Sequence, residues 1–108
     1  MKKLILILIV FLAGCSPLHF TANTLIVADW SQTRYIANSP DYYETNPILG
    51  ANPTTGEVNK YFLSSLAVYN ATYYLTPNKH REKVATFVSV FQFGYVYNNY
   101  TMGVGFSF

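Results

Sequence analysis

"EKVATFVSVFQFGYVYNNYTMGVGFSF", residues 82–108, is the stretch on which the fold turns. With a helical period, residues 82–97 make about four turns that are apolar nearly all round. With a period of two, Phe87, Ser89, Phe91, Phe93, Tyr95 and Tyr97 share one parity. Beyond Asn98-Asn99 the alternation is cleaner, with Tyr100, Met102, Val104, Phe106 and Phe108 set against Thr101, Gly103, Gly105 and Ser107. Bulky residues alternating with small ones is strand chemistry. Size decides between the two readings. The smallest membrane barrels need about eight strands of roughly 9–11 residues, which would consume every residue after Cys15, including segments with clear helix signals. The expectation is therefore a helix over 82–97 and an extended C-terminal tail, with a hairpin around Asn98-Asn99 as the competing arrangement.

Working upstream, Thr54-Thr55-Gly56-Glu57 matches the capping box, in which hydroxyl and carboxylate satisfy each other's backbone donors. Phe62, Leu66, Tyr69 and Tyr73 then fall at the spacing of one helix face, and Pro77-Asn78 ends the run. A helix is expected over 57–76. Before it, residues 38–56 hold three prolines and two glycines and read as a proline-rich loop. One helical turn is expected after Asn46, with Pro47 at its first position. Earlier still, "FTANTLIVADWSQTRYIA", residues 20–37, reads as an amphipathic helix. Thr21, Asn23 or Thr24 would cap it and Asn38-Ser39-Pro40 would stop it. Leu25, Ala28, Gln32 and Ile36 lie near one face, with Asp29 and Arg34 elsewhere. The fold class expected is mainly α, a signal helix plus about three helices (20–37, 57–76, 82–97).

The N-terminus carries an address. After Met1-Lys2-Lys3 come eleven residues, Leu4 to Gly14, with no charged or polar side chain. Crossing a bilayer takes roughly 20 apolar residues, whereas about 10–14 suits the core of a secretory signal peptide. At its end Leu12-Ala13-Gly14-Cys15 resembles the lipobox of bacterial lipoproteins. The resemblance implies that signal peptidase recognises Leu12, Ala13 and Gly14 and cleaves before Cys15. It also implies that the Cys15 thiol takes a diacylglycerol and the new amino group an acyl chain. Lipidation also accounts for an odd cysteine in an exported chain, since Cys15 is the only one in the sequence. Each buried CH₂ contributes about 0.8 kcal/mol, so two or more chains hold a protein firmly on a bilayer. The organisation expected is a signal peptide over 1–14 and one small membrane-associated domain over 15–108, with no cofactor beyond the covalent lipid. Ser16 stands where the family's inner-membrane retention signal places Asp, which favours the periplasmic face of the outer membrane over the inner membrane.

Charge then excludes one class of partner. Arg34, Lys60, Lys79, Arg81 and Lys83 balance Asp29, Asp41, Glu44, Glu57 and Glu82, so the formal +2 comes from Lys2 and Lys3. A mature chain without basic excess has no counterion-release drive toward nucleic acid. With aromatics at 18% and charged residues at only 11%, water-seeking surface is scarce, and contact with membrane lipid or an envelope protein is expected.

The densest polar stretch is "DWSQTRYIANSPDYYETNPILG", residues 29–50. Its D-W-x-Q-T and E-T-N-P-x-L-G elements resemble those of small uncharacterised bacterial and prophage-borne membrane or lipoproteins. That resemblance runs from about Asp29 to Phe62 and implies a helical, membrane-associated protein with no activity to carry over. On a helix Asp29 and Thr33 share one face, and Glu44 and Asn46 can reach neighbouring helix ends. These four make a polar site able to take a cation, or simply a set of caps and loop closures. His19 and His80 lie far apart, without a carboxylate or nucleophile at motif spacing, and both are expected on the surface. H-E-x-x-H, G-x-S-x-G and phosphate-loop motifs are absent from the sequence.

Two arrangements fit these segments. Residues 57–76 and 82–97 span a membrane with the 79–83 cluster on the cytoplasmic side, or they form a small helical bundle resting on the membrane through its lipid. Two non-enzymatic functions fit as well. One is a structural or interaction lipoprotein of the cell envelope. The other is an accessory subunit that adds its C-terminal strand, Tyr100–Phe108, to an outer-membrane β-assembly, since alternating aromatics before a terminal Phe resemble the closing signal of such barrels. An enzymatic reading would require Asp29 and Glu44 to act as an acid/base pair.

Overall fold

The capping box forms as its sequence dictates. Glu57 N–H donates to Thr54 Oγ1 at 3.1 Å and Thr54 N–H donates to Glu57 Oε1 at 3.2 Å. A computed structural model describes residues 17–39, 42, 48–50 and 52–108, and the box opens the second of its three helices. These are α1 (Pro17–Ala37), α2 (Thr55–Leu75) and α3 (Asn78–Thr101), followed by an extended tail. The fold is mainly α, and among the described residues there is no strand. The signal helix, Leu12, Ala13, Gly14 and Cys15, and also Glu44, Asn46 and Pro47, lie outside the described residues.

α1 and α3 reach beyond the spans their sequence signals suggest, while α2 opens two residues earlier and closes one earlier than expected. The expected caps of α1 sit inside it. Thr21 Oγ1 donates to the Pro17 carbonyl and Thr24 Oγ1 to the Phe20 carbonyl, both at 2.8 Å. A hydroxyl satisfied one turn back does not end a helix, and α1 is helical from Pro17, its first described residue. The 79–83 cluster is not a loop but the first turns of α3. Arg81 caps the end of α2, its Nε and Nη2 donating to the carbonyls of Thr76 at 2.9 Å and Tyr74 at 2.7 Å. A cation there also meets the negative end of the helix dipole.

At the other end of α3, Asn98-Asn99 makes no hairpin. Asn99 is buried, and its Nδ2 donates to Gln32 Oε1 at 3.2 Å. The helix runs on to Thr101 and stops at Gly103, whose φ is +82°. There the Val104 N–H bonds the Asn99 carbonyl and the Gly103 N–H bonds the Tyr100 carbonyl, both at 3.0 Å. This nested pair is a Schellman stop, which needs a left-handed residue at Gly103. Tyr100 and Thr101, the start of the proposed C-terminal strand, are therefore helical, and only the residues from Met102 onward leave the helix.

α1 is the central element. Both α2 and α3 pack mainly on it and only lightly on each other. The core joins Ala22, Ile26 and Trp30 of α1 to Val58, Phe62, Tyr69 and Tyr73 of α2 and Ala85 of α3. Burying each of the larger side chains stabilises by about 1.5–3 kcal/mol. The spacing read for α2 holds, with Phe62, Tyr69 and Tyr73 buried and Leu66 packed against them. The reading of α1 does not. A helix covered on two sides has a wide buried face, so Asp29, expected away from the core, is buried, while Thr21 and Thr24 stay exposed. Among the described residues no helix is long and apolar enough to cross a membrane, which removes the basis of the two-span arrangement. The uncharged part of α3, residues 84–101, still carries Gln92, Asn98, Asn99 and Thr101, and α2 carries Asn59, Lys60, Ser64, Ser65 and Asn70.

Candidate functional site

The buried face of α1 is polar over most of its length. His19, Asn23, Asp29, Ser31, Gln32 and Thr33 are all buried. Their partners come from α2, α3 and the tail, and the seam divides into three levels.

At the first level His19, fully buried, meets Tyr69 O–H at Nδ1 (2.8 Å) and stacks on Tyr73 with centroids 3.7 Å apart. Asn23 and Asn70 exchange amide hydrogen bonds across the α1–α2 interface. Asn23 Nδ2 donates to Asn70 Oδ1 at 3.2 Å, and Asn70 Nδ2 donates to Asn23 Oδ1 at 2.8 Å. Both amides also donate to carbonyls one turn back, those of His19 and Leu66. Asn23 Nδ2 lies 3.4 Å from His19 Nε2; a donor at that nitrogen fits the neutral ring with its proton on Nδ1, directed to Tyr69. Burial lowers the His19 pKa from 6.5, against opposing pulls from the Glu82 charge and the Asn70 hydrogen bond. The imidazole is thus held uncharged in the core. Its burial corrects the expectation of a surface histidine; His80 is exposed, as expected.

The second level joins α1 to α3. Gln32 Nε2 donates to the Val96 carbonyl at 3.2 Å, and its Oε1 accepts from Asn99. Thr33 Oγ1 donates to the Asp29 carbonyl at 2.8 Å and lies 3.4 Å from Asp29 Oδ1. Two of the four residues of the expected polar site are thus side by side, while Glu44 and Asn46 lie outside the described residues. Among the described residues no group of three His, Cys, Asp or Glu stands where it could hold a metal ion.

The third level ties down the tail. Asn59 Oδ1 accepts from both Trp30 Nε1 (3.0 Å) and Arg34 Nη1 (2.5 Å). Arg34 Nε donates to the Ser107 carbonyl at 3.2 Å, and the Ser107 N–H donates to Ser31 Oγ at 2.9 Å. Phe108 stands edge-on to Trp30 at 5.5 Å and beneath the Arg34 guanidinium at 5.6 Å.

Each level uses polar side chains to fix the register of one helix on another. Buried hydrogen-bond networks of this kind rigidify a core when they are satisfied. The outer surface is the reverse. Phe87, Val90, Phe91, Phe93, Tyr97 and Tyr100 of α3 are exposed, whereas its α1-facing side carries small residues, Ala85 and Ser89. Phe87 stacks on Phe91 at 6.2 Å and Phe93 on Tyr97 at 6.0 Å, so the rings form two ladders along the flank.

Sequence reasoning missed His19, Asn23, Gln32, Asn59, Asn70 and Asn99. A signal was present. His19, Asn23, Ile26, Trp30 and Thr33 follow helical spacing on one face, but a pattern search weighted by apolarity passes over a stripe that is half polar. No protein-family model, no curated protein and no solved structure matches this chain.

Proposed function

We propose that this protein is a non-enzymatic structural or interaction lipoprotein of the bacterial cell envelope, held on the membrane by acyl chains on Cys15 and presenting the α3 flank as a contact surface. The observation that carries this reading is the inverted distribution of side chains. Polar groups of α1 are engaged inside in holding the helices together, while a row of Phe and Tyr faces outward. Soluble monomers rarely expose contiguous apolar surface of this kind, and such a patch marks contact with lipid or protein. The lipobox and the lone cysteine supply the anchor in the same reading. The outer membrane is the favoured location, from Ser16, and nucleic acid is no partner of a chain whose charges balance.

The strand-addition alternative fits less well. It needs residues 100–108 extended and available, yet Tyr100 and Thr101 are helical and the Ser107 amide is bonded to Ser31. Palmitate labelling with membrane fractionation tests the proposal. The wild-type chain should carry label and sediment with membranes, and Cys15→Ala should lose the label. A photo-crosslinking residue at Phe91 should capture an envelope neighbour or lipid, while one at Glu57 should not. An unlabelled wild-type chain recovered outside the membrane fraction would overturn the reading.

A further inference from the structure

The start of α1, the end of α2 and the start of α3 come together at one end of the molecule. His19 stacks on Tyr73 and meets Tyr74 edge-on at 5.5 Å, and Arg81 lies over the rings of Tyr73 and Tyr74. Cys15 precedes Pro17, the first described residue of α1, by two positions. Two residues reach at most about 7 Å, so a lipid on Cys15 brings the bilayer to this end and no other.

The surface there has a matching composition. Leu18, Phe20, Tyr74 and Leu75 are exposed, Leu75 by 85%. Beside them Lys79, His80 and Lys83 are exposed on the first turns of α3. Glu82 is the only carboxylate between Tyr69 and Val90. The carboxylate of Glu57 lies at the opposite end, with Lys60 and Arg34. Apolar side chains ringed by lysines are the composition of surfaces that enter the headgroup layer.

We propose that this end is a docking surface for anionic phospholipid headgroups, with Lys79 and Lys83 on the phosphates and Tyr74, Leu75 and Phe20 at the acyl boundary. The proposal rests on the anchored reading above and adds a posture to it. The molecule stands on the α2–α3 turn and leaves the aromatic flank of α3 directed sideways, toward a neighbouring protein.

The test uses the acylated full-length chain, purified from bacterial membranes and reconstituted in vesicles of phosphatidylcholine alone or with phosphatidylglycerol. With Cys15 acylated, a cysteine introduced at Leu75, Val90 or Glu57 is the sole thiol to take a fluorophore. Quenching by spin-labelled lipid should be several-fold stronger at Leu75 than at Val90 or Glu57, and stronger in the anionic vesicles. Lys79→Gln with Lys83→Gln should bring it down to the phosphatidylcholine level, each lysine accounting for about a fivefold loss of contact. Lys60→Gln should change nothing. Equal quenching at Leu75 and Glu57 would mean a loose tether, and strongest quenching at Val90 a molecule lying on its flank; either overturns the proposal. An unacylated Cys15 would register separately, as a second labelled thiol by mass. It would sink the anchor, while the same probe comparison would still decide whether the turn end meets lipid.

Discussion

His19 is the residue whose chemistry most constrains the fold. Its imidazole is uncharged in the core, with a pKa lowered below 6.5 by burial, while in the unfolded chain it titrates near the ordinary value. The unfolded state then binds the extra proton first, so stability rises with pH through this window. The contribution is complete above about pH 6.5 and is lost as the pH falls below it. The thermal midpoint of the wild-type chain should drop between pH 7.5 and pH 5 more steeply than that of His19→Gln, and parallel profiles would refute the assignment. The amide pair beside it makes a second test. Asn70→Ala strands the Asn23 amide in the core and should cost about 1–3 kcal/mol in a urea titration. The double change Asn23→Leu with Asn70→Leu removes both polar groups and should cost less than the sum of the single changes.

Among the elements, α3 shows most sharply how fold and surface make different demands. Gly94 sits in mid-helix, and a Cβ built there meets nothing within 4 Å. Glycine in a helix interior costs roughly 0.5–1 kcal/mol relative to alanine. Gly94→Ala should therefore stabilise the isolated chain by about that amount in a denaturant titration, and a destabilised variant would contradict the open flank. The same helix explains what could be read from the sequence. α2 was legible, since its cap is a local motif and its core face carries Val58, Phe62, Leu66, Tyr69 and Tyr73 at helical spacing. The course of α3 was legible only to Tyr97, because its terminus depends on Asn99 finding Gln32 in another helix and on Gly103 adopting a positive φ. The first is settled by tertiary contact; the second is a local glycine signal that the period-two alternation around it obscures. The polar alternation beyond Asn98 is real, but a Schellman stop followed by an extended tail satisfies it without a partner strand. In the candidate site Asp29 and Thr33 were legible as helix neighbours, whereas the pairing of Asn23 with Asn70 joins residues 47 positions apart that no local window contains.

At the scale of the whole molecule, the tail is the piece that closes it. Val104 is buried, Gly105 lies against the Tyr35 ring, Ser107 bonds to Ser31, and Phe108 covers Trp30. Deleting residues 103–108 should cost about 2 kcal/mol, largely from the lost burial of Val104. It should also red-shift the emission of Trp30, the only tryptophan; an unchanged spectrum would mean that the tail does not cover the indole. The Ser31–Ser107 contact joins residues 76 positions apart, and under the export proposed above this sets an order of events. A chain that emerges from its N-terminus delivers α1 first and the covering of α1 last. Until the tail arrives, Ser31 and Arg34 lack their bonds to Ser107, while the pairs that α1 makes with α2 and α3 are already complete. On that reading the three helices pack first, and the tail closes over Trp30 last.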